Sequence, residues 1–227
     1  MPTPAATPRN VLSALPADLI ERLFSDARPV RLPAGRTLFA AGDPTTGCYR
    51  VDQGLLKVSV LFGSRGERIL AISGPGEIVG EISMLDEGPR TAGVAAVKDS
   101  QLSFVTCAQF RSFAEEHPEV YQHLVRLLTL RLRYNTVAIA AGTFLTLKGR
   151  VARALLDLSE AFGHDVGNGR LLVRQKITQS DLAAMAGIAR ENVSRILNEW
   201  KRQSVVSRLA GYYCLENPQI LEREAAS

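Results

Sequence analysis

KITQSDLAAMAGIARENVSRILNEW, running from Lys176 to Trp200, reads as a helix-turn-helix, the unit that lays its second helix in a DNA major groove. Thr178 followed three residues later by Asp181 is a near relative of the capping box and marks a helix start. Leu182, Ala183, Met185 and Ala186 give that helix an apolar side, and Gly187 stands where a sharp turn needs a positive φ. The second helix buries Val193, Ile196, Leu197 and Trp200, spaced for one face. Its other face carries Arg190, Glu191, Ser194, Arg195 and Asn198. With Thr178, Gln179, Asn192 and Lys201 these are the candidate DNA contacts, since each side chain can hydrogen-bond a base edge or a phosphate. An ordinary amphipathic helix pair with a solvated charged face is the competing reading. Small residues, turn glycine and polar face in one segment favour DNA.

The charge distribution agrees. The 227-residue chain carries a formal net charge of +4, with 15 basic and 14 acidic residues in 1–146 but 8 basic and 3 acidic in 170–208. A basic patch on the helix-turn-helix segment is the electrostatic footprint of a phosphate-backbone partner, although a merely basic domain would share it. The length suits two ordinary domains, and 46% hydrophobic residues suffice for a sizeable core. No apolar run reaches transmembrane length, which predicts no membrane partner. The opening MPTPAATPRN lacks the pattern of a secretory signal, and its prolines predict a disordered start. Cys48, Cys107 and Cys214 are odd in number and far apart, which fits reduced thiols in a cytoplasm.

The texture changes twice along the chain. Gly35 to Gly93 holds eleven of the eighteen glycines. Between them lie short strand-like runs, Thr37 to Phe39, Leu55 to Leu61 and Arg68 to Ile72, followed later by Leu102 to Val105. Leu56, Val58 and Val60 alternate with Lys57 and Ser59, the period of a half-buried strand. Short strands with frequent turn glycines predict a β-barrel or sandwich. From Pro118 to about Phe144 the pattern becomes helical, with a broad stripe of Val120, Leu124, Leu127, Leu128, Leu130, Leu132, Val137 and Ile139. A helix of about 27 residues is about 40 Å long. So wide a stripe pairs with a partner helix, or else buries one long core helix in a monomer. Beyond Leu147 come a short helix, Val151 to Phe162, a glycine-containing loop, Gly163 to Arg170, the helix-turn-helix, and a hairpin from Val205 to Leu215 turning at Gly211.

A second chemically loaded run, GEISMLDEGPRTA, spans Gly80 to Ala92 within the glycine-rich part. Gly80 lets backbone approach a ligand, and Glu81 can accept two hydrogen bonds from sugar hydroxyls. Arg90 is a permanent cation with a fork suited to phosphate, and Thr91 adds a hydroxyl. A carboxylate for ribose and an arginine for phosphate suit a nucleotide. By spacing alone an ordinary surface Glu–Arg pair is favoured, because such pairs are common.

The order of these parts closely resembles the CRP/FNR family of bacterial transcription regulators, over roughly Pro29 to Leu215. LPAGRTLFAAGDPTTGCYRVDQGLLKV, Leu32 to Val58, is similar to that family's barrel opening, and LKGRVARALLDL, Leu147 to Leu158, to the start of its DNA-binding domain. The resemblance implies an α+β chain. It places a tail and short helix at 1–28, a jelly-roll effector barrel at 29–117, a dimerising helix at 118–145 and a winged helix-turn-helix at 146–227. It also implies a cytoplasmic homodimer that binds palindromic double-stranded DNA, works with RNA polymerase and is no enzyme. Gly80, Glu81, Ile82, Ser83, Arg90 and Thr91 resemble the phosphate-binding cassette of cyclic-nucleotide-binding members. By that likeness Glu81 holds the ribose 2′-hydroxyl and Arg90 and Thr91 the cyclic phosphate, with Asn135 and Thr136 on the adenine.

Departures from that pattern keep the effector open. Cyclic-AMP-binding relatives typically have Thr then Ser where Asn135 and Thr136 stand, and Ser where Thr91 stands. Cyclic AMP is the first expectation, with cyclic GMP, no small effector or a cysteine redox switch as alternatives. Arg190, Glu191 and Arg195 match the reading positions of the cyclic AMP receptor helix, while Glu191, Ser194 and Arg195 also match the oxygen-sensing branch. A half-site with a TGA core follows, although Ala189 stands where relatives often have a capping Ser or Thr. An iron–sulfur sensor needs a cysteine cluster before Cys48, and a haem sensor or metal enzyme needs ligands in the barrel. His117, His123 and His164 all lie outside it, so neither metal nor haem is expected.

Overall fold

The computed structural model describes residues 12, 15–61 and 66–226; the side chains of residues 131 and 134–144 fall outside that description. The expected disorder of MPTPAATPRN likewise lies outside the described residues. The chain divides into two compact units, Met1–Asn135 and Thr136–Ser227.

The first unit opens with helix α1 (Ala17–Leu23) and strands β1 (Arg28–Leu32) and β2 (Thr37–Phe39). Strand β3 (Gly47–Leu61), β4 (Glu67–Ser73) and β5 (Ile78–Val79) follow, then the short helix α2 (Glu81–Asp86), strand β6 (Gly93–Thr106), helix α3 (Cys107–Glu116) and the long helix α4 (Glu119–Phe144). All pairings are antiparallel, along the path β1-β6-β3-β4, with β2 added to β6 and β5 to β3.

The two longest strands carry the sheet. β3 and β6 pair from Gly47↔Thr106 to Ser59↔Gly93, with register shifts between Val51 and Leu56. Each bulge adds twist, so the sheet can curl around a core. Neighbouring residues then serve different clusters. Cys48 and Val105 pack with α1, α3 and the start of α4, through Leu19, Phe110, Ala114, Val120 and Leu124. Val51, Leu56, Val79, Val94 and Leu102 form a second cluster, with Phe39 and Tyr49 packed against it.

The bulges also correct the simple alternation expected at Leu56–Val60. Leu55 and Leu56 are both fully buried across a register shift, whereas Lys57, Val58, Ser59 and Val60 are all half-buried. The strand expected at Thr37 to Phe39 is β2 itself, the other expected runs are parts of the longer β3, β4 and β6, and β1 was missed because Arg28, Pro29 and Arg31 interrupt its apolar pattern. Helix α3 was also missed; Thr106 and Gln109 close a capping box at its start.

The second unit contains α5 (Leu147–Phe162), β7 (Gly163–Asp165), β8 (Leu171–Val173), α6 (Gln179–Ala186), α7 (Arg190–Arg202), β9 (Val206–Leu209), β10 (Tyr212–Leu215) and α8 (Pro218–Glu224). Four strands pair in the order β7-β8-β10-β9. Helix α5 begins four residues before the expected Val151, because the Thr146 hydroxyl caps it by accepting from the Gly149 N–H at 3.0 Å. The segment expected as a loop between Gly163 and Arg170 is a hairpin, turning through Gly167, Asn168 and Gly169 at positive φ. The β9–β10 turn follows the sequence expectation, with Ala210 and Gly211 both at positive φ. Trp200, Leu155, Leu158, Ile177 and Leu182 are essentially fully buried in this unit.

Candidate functional site

In the first unit, β5 runs into Gly80, whose φ of 82° is left-handed, and this bend starts α2. A Cβ on Gly80 would lie 2.4 Å from the Arg90 Nη1 atom and 3.3 Å from the Phe39 Cζ atom. Glycine is therefore required for both backbone angle and space. Arg90 is anchored through its backbone: its N–H donates to the Asp43 carbonyl and its carbonyl accepts from the Gly42 N–H, both at 2.8 Å. Its side chain is 4% exposed. Nη1 donates to the Gly80 carbonyl and Nη2 to the Gly47 carbonyl, each at 2.8 Å.

The guanidinium carbon sits 4.1 Å from the centre of the Phe39 ring. Burial holds the Arg90 pKa below its ordinary value. Among the described residues the Nε–H of this buried cation has no hydrogen-bond partner. Both acceptors that Arg90 does have are neutral carbonyls. Such an arrangement favours an anion, because a buried cation is costly without an opposite charge.

The neighbouring candidates divide. Glu81 and Ser83, in the first turn of α2, are buried, and Ile82 is half-buried. Thr91 follows Arg90 but is exposed. The α4 backbone passes through Asn135 and Thr136, whose side chains lie outside the described ones. Sequence reasoning missed Phe39 and Gly47. A Cβ on Gly47 would fall 2.0 Å from the Val105 carbonyl oxygen, so only glycine lets β3 approach β6 there and still turn its carbonyl to Arg90. Cys48 next to it is fully buried, and burial pushes its thiol far above the ordinary range.

In the second unit the Thr178–Asp181 capping box is present: the Thr178 hydroxyl accepts from the Asp181 N–H at 3.0 Å, and the Asp181 carboxylate accepts from the Thr178 N–H at 3.2 Å. Gly187 ends α6 at φ 66°. Helix α7 buries Val193, Ile196, Leu197 and Trp200 and lacks a side-chain cap at Ala189. Its other face lines an open groove of about 950 Å³ with Arg190, Glu191, Ser194, Arg195, Asn198 and Lys201, joined by Gln179 and Arg202.

Asn192 is half-buried and holds Arg195, its Oδ1 accepting from Nη2 at 3.1 Å. Thr178 is exposed, with its hydroxyl engaged in the cap and outside the groove lining. Glu199 points its carboxylate at Lys148 Nζ, 2.6 Å away, which ties α7 to α5. That bond lowers the Glu199 pKa and raises that of Lys148. Among the described residues no His, Cys, Asp and Glu group could hold a metal ion, and no helix is long and apolar enough to cross a membrane.

The first unit holds a buried arginine on two neutral carbonyls, and the second a helix-turn-helix with a basic open groove, the surface that DNA binding needs. Comparison with known proteins gives the family. Residues 29–117 match the cyclic nucleotide-binding domain and residues 149–224 the Crp-like helix-turn-helix domain. The chain is 31% identical over 202 residues to the CRP-like cAMP-activated global transcriptional regulator of Mycobacterium tuberculosis, covering 89% of each. It is 34% identical over 193 residues to the cyclic AMP receptor protein of Thermus thermophilus, covering 85% of this chain and 86% of that one.

Among solved structures, the Thermus thermophilus catabolite activator protein matches with a TM-score of 0.53 at 31% identity, over 95% of this chain and 98% of that one. FixK2 of Bradyrhizobium japonicum shares the fold, with a TM-score of 0.76 at 22% identity, over 88% and 98%. The chain belongs to the CRP/FNR family of transcription regulators, a family of DNA-binding regulators and not of enzymes.

Proposed function

We propose that the protein is a cytoplasmic, homodimeric transcription regulator whose DNA binding is controlled by cyclic AMP. The observation that carries the effector assignment is Arg90, a buried cation held by two neutral carbonyls with its Nε–H unpartnered among the described residues. A cyclic phosphate supplies the missing anion, and Arg90 holds it. Gly80 lets it approach, while Glu81, a buried carboxylate of α2, takes the ribose 2′-hydroxyl. Ile82 and Ser83 complete the turn, and Thr91 contributes its hydroxyl; the family resemblance assigns Asn135 and Thr136, whose side chains lie outside the described ones, to the base. Cyclic AMP is the choice because relatives of 31% and 34% identity are named for it. Buried thiols at Cys48 and Cys214, both with pKa values raised mainly by burial, argue against a redox switch at those two positions.

The division of labour in this reading is an effector barrel at 29–117, a dimerising helix at 118–145 and a DNA-binding domain at 146–227. Arg190, Glu191, Ser194, Arg195 and Asn198 read bases, with Asn192 orienting Arg195. Gln179, Lys201 and Arg202 meet phosphates, and Thr178 fixes the start of α6. Two copies related by a two-fold axis read a palindrome with half-sites about 34–36 Å apart. RNA polymerase is the partner through which a bound dimer acts. Calorimetry of the purified protein with cyclic AMP and cyclic GMP tests the effector assignment. Saturable binding with preference for cyclic AMP is expected; preference for cyclic GMP changes the base assignment, and no heat from either removes the cyclic nucleotide.

A further inference from the structure

The plane of the Arg90 guanidinium decides which of its donors meets a ligand, and one aromatic side chain lies against that plane. Arg90 Cζ is 4.1 Å from the Phe39 ring centre, well inside the ~6 Å reach of a cation–π contact. Phe39 is itself held in a file of rings. It ends β2, paired with Val94 of β6. Its ring centre is 6.1 Å from that of Tyr49, Tyr49 is 4.7 Å from Phe104, and Arg28 closes the far end, 5.2 Å over Phe104. A Cβ on Gly80 would touch both the Phe39 ring and the Arg90 Nη1, so ring, cation and glycine meet at one point. Rotation of the guanidinium about its last side-chain bonds would break both carbonyl bonds and lift it from the ring. The two carbonyl bonds use one N–H on each terminal nitrogen, and Nε is the guanidinium nitrogen without a hydrogen-bond partner among the described residues.

We propose that Phe39 is a positioning residue for ligand phosphate: its ring fixes the guanidinium so that Nη1 and Nη2 stay on the Gly80 and Gly47 carbonyls and Nε–H is presented to a phosphate oxygen. The inference rests on the effector reading above. It differs from simple packing, because an aliphatic side chain can fill the volume but offers no π face to a cation. A leucine there leaves the guanidinium free to turn, so the phosphate loses a directed donor and not merely a snug wall.

The test is calorimetry on the full chain with three ligands: cyclic AMP and the two phosphorothioate diastereomers of cyclic AMP, each carrying sulfur in place of one exocyclic oxygen. Phe39→Leu is expected to weaken cyclic AMP binding about tenfold. It should also change the affinity ratio between the diastereomers, because the donor that distinguishes the two oxygens is no longer fixed. Phe39→Tyr restores both the affinity and the ratio. Should Phe39→Leu lower the unfolding temperature, Phe39→Met, close in volume to phenylalanine, makes the same comparison. An unchanged ratio in the aliphatic variants, or equal affinities for the aliphatic and aromatic variants, overturns the role of Phe39 while leaving the effector reading in place. Failure of the wild-type protein to bind any of the three ligands overturns the effector reading, and the inference with it.

Discussion

Arg90 and Thr178 show how differently two polar side chains of the sequence are employed. Arg90 looked like one half of a surface ion pair by spacing, yet it is buried on neutral acceptors. Arg90→Leu removes the cation while leaving an apolar side chain against Phe39. Calorimetry is expected to find no cyclic nucleotide binding to a variant that still unfolds cooperatively; wild-type affinity would remove Arg90 from the site. Thr178 is of a type that can contact DNA, but its hydroxyl closes the cap of α6 with Asp181. Thr178→Ala should therefore cost about 1 kcal/mol, or about 3 °C in Tm for a chain of this size, by loss of an N-cap. Binding-site selection should return the same base preferences for this variant as for wild type. A changed preference at constant Tm would make Thr178 a reader. The sequence displayed the types of these residues but not their roles, because burial of Arg90 depends on Phe39 and Gly47, contributed by strands far away in the chain.

At the scale of elements, α4 sorts its apolar residues in a way the stripe alone did not. Val120 and Leu124 are buried against the barrel cluster and Leu127 is packed against it. Tyr121, Val125, Leu128 and Leu132 remain exposed, at 48%, 64%, 43% and 67%. Their spacing of four, three and four residues is the repeat of a helix–helix seam. Val125→Lys or Leu128→Lys should give a folded monomer by light scattering at micromolar concentration. Leu127→Lys should instead lower Tm, because it intrudes on the barrel core. Monomeric wild-type protein, with and without DNA, would contradict the seam.

Helix α8 was not foreseen; its side-chain pattern is short and its role is to cover α5. A Cβ on Gly149 would stand 2.7 Å from the Glu224 carbonyl oxygen of α8. Gly149→Ala, a favourable change by helix propensity, should here destabilise by about 1–3 kcal/mol through overpacking. Chemical denaturation measures it, and a stabilised variant would mean that α8 yields. The local elements that were legible, α6, its capping box, Gly187 and the β9–β10 turn, are those whose signals sit within a few residues. The bulged pairing of β3 with β6 and the β7–β8 hairpin depend on partners distant or weakly patterned in sequence.

For the whole molecule the central claim is linkage: a cyclic nucleotide in the barrel unit changes the affinity of the helix-turn-helix unit for DNA. A ligand shifts such an equilibrium only by its differential affinity for the two states, and coupling of about 1–3 kcal/mol corresponds to about 5–150-fold. The two proposed ends of the linkage are the Arg90 cradle in one unit and the basic groove of α7 in the other. The coupling between them is a property of two states and is therefore not written in any one motif. The direct measurement is fluorescence anisotropy of a labelled palindromic operator, obtained by binding-site selection, titrated with the purified protein without ligand and with saturating cyclic AMP. The account predicts that cyclic AMP tightens operator binding by at least about fivefold, while Arg90→Leu shows no response. Identical isotherms with and without cyclic AMP would contradict it.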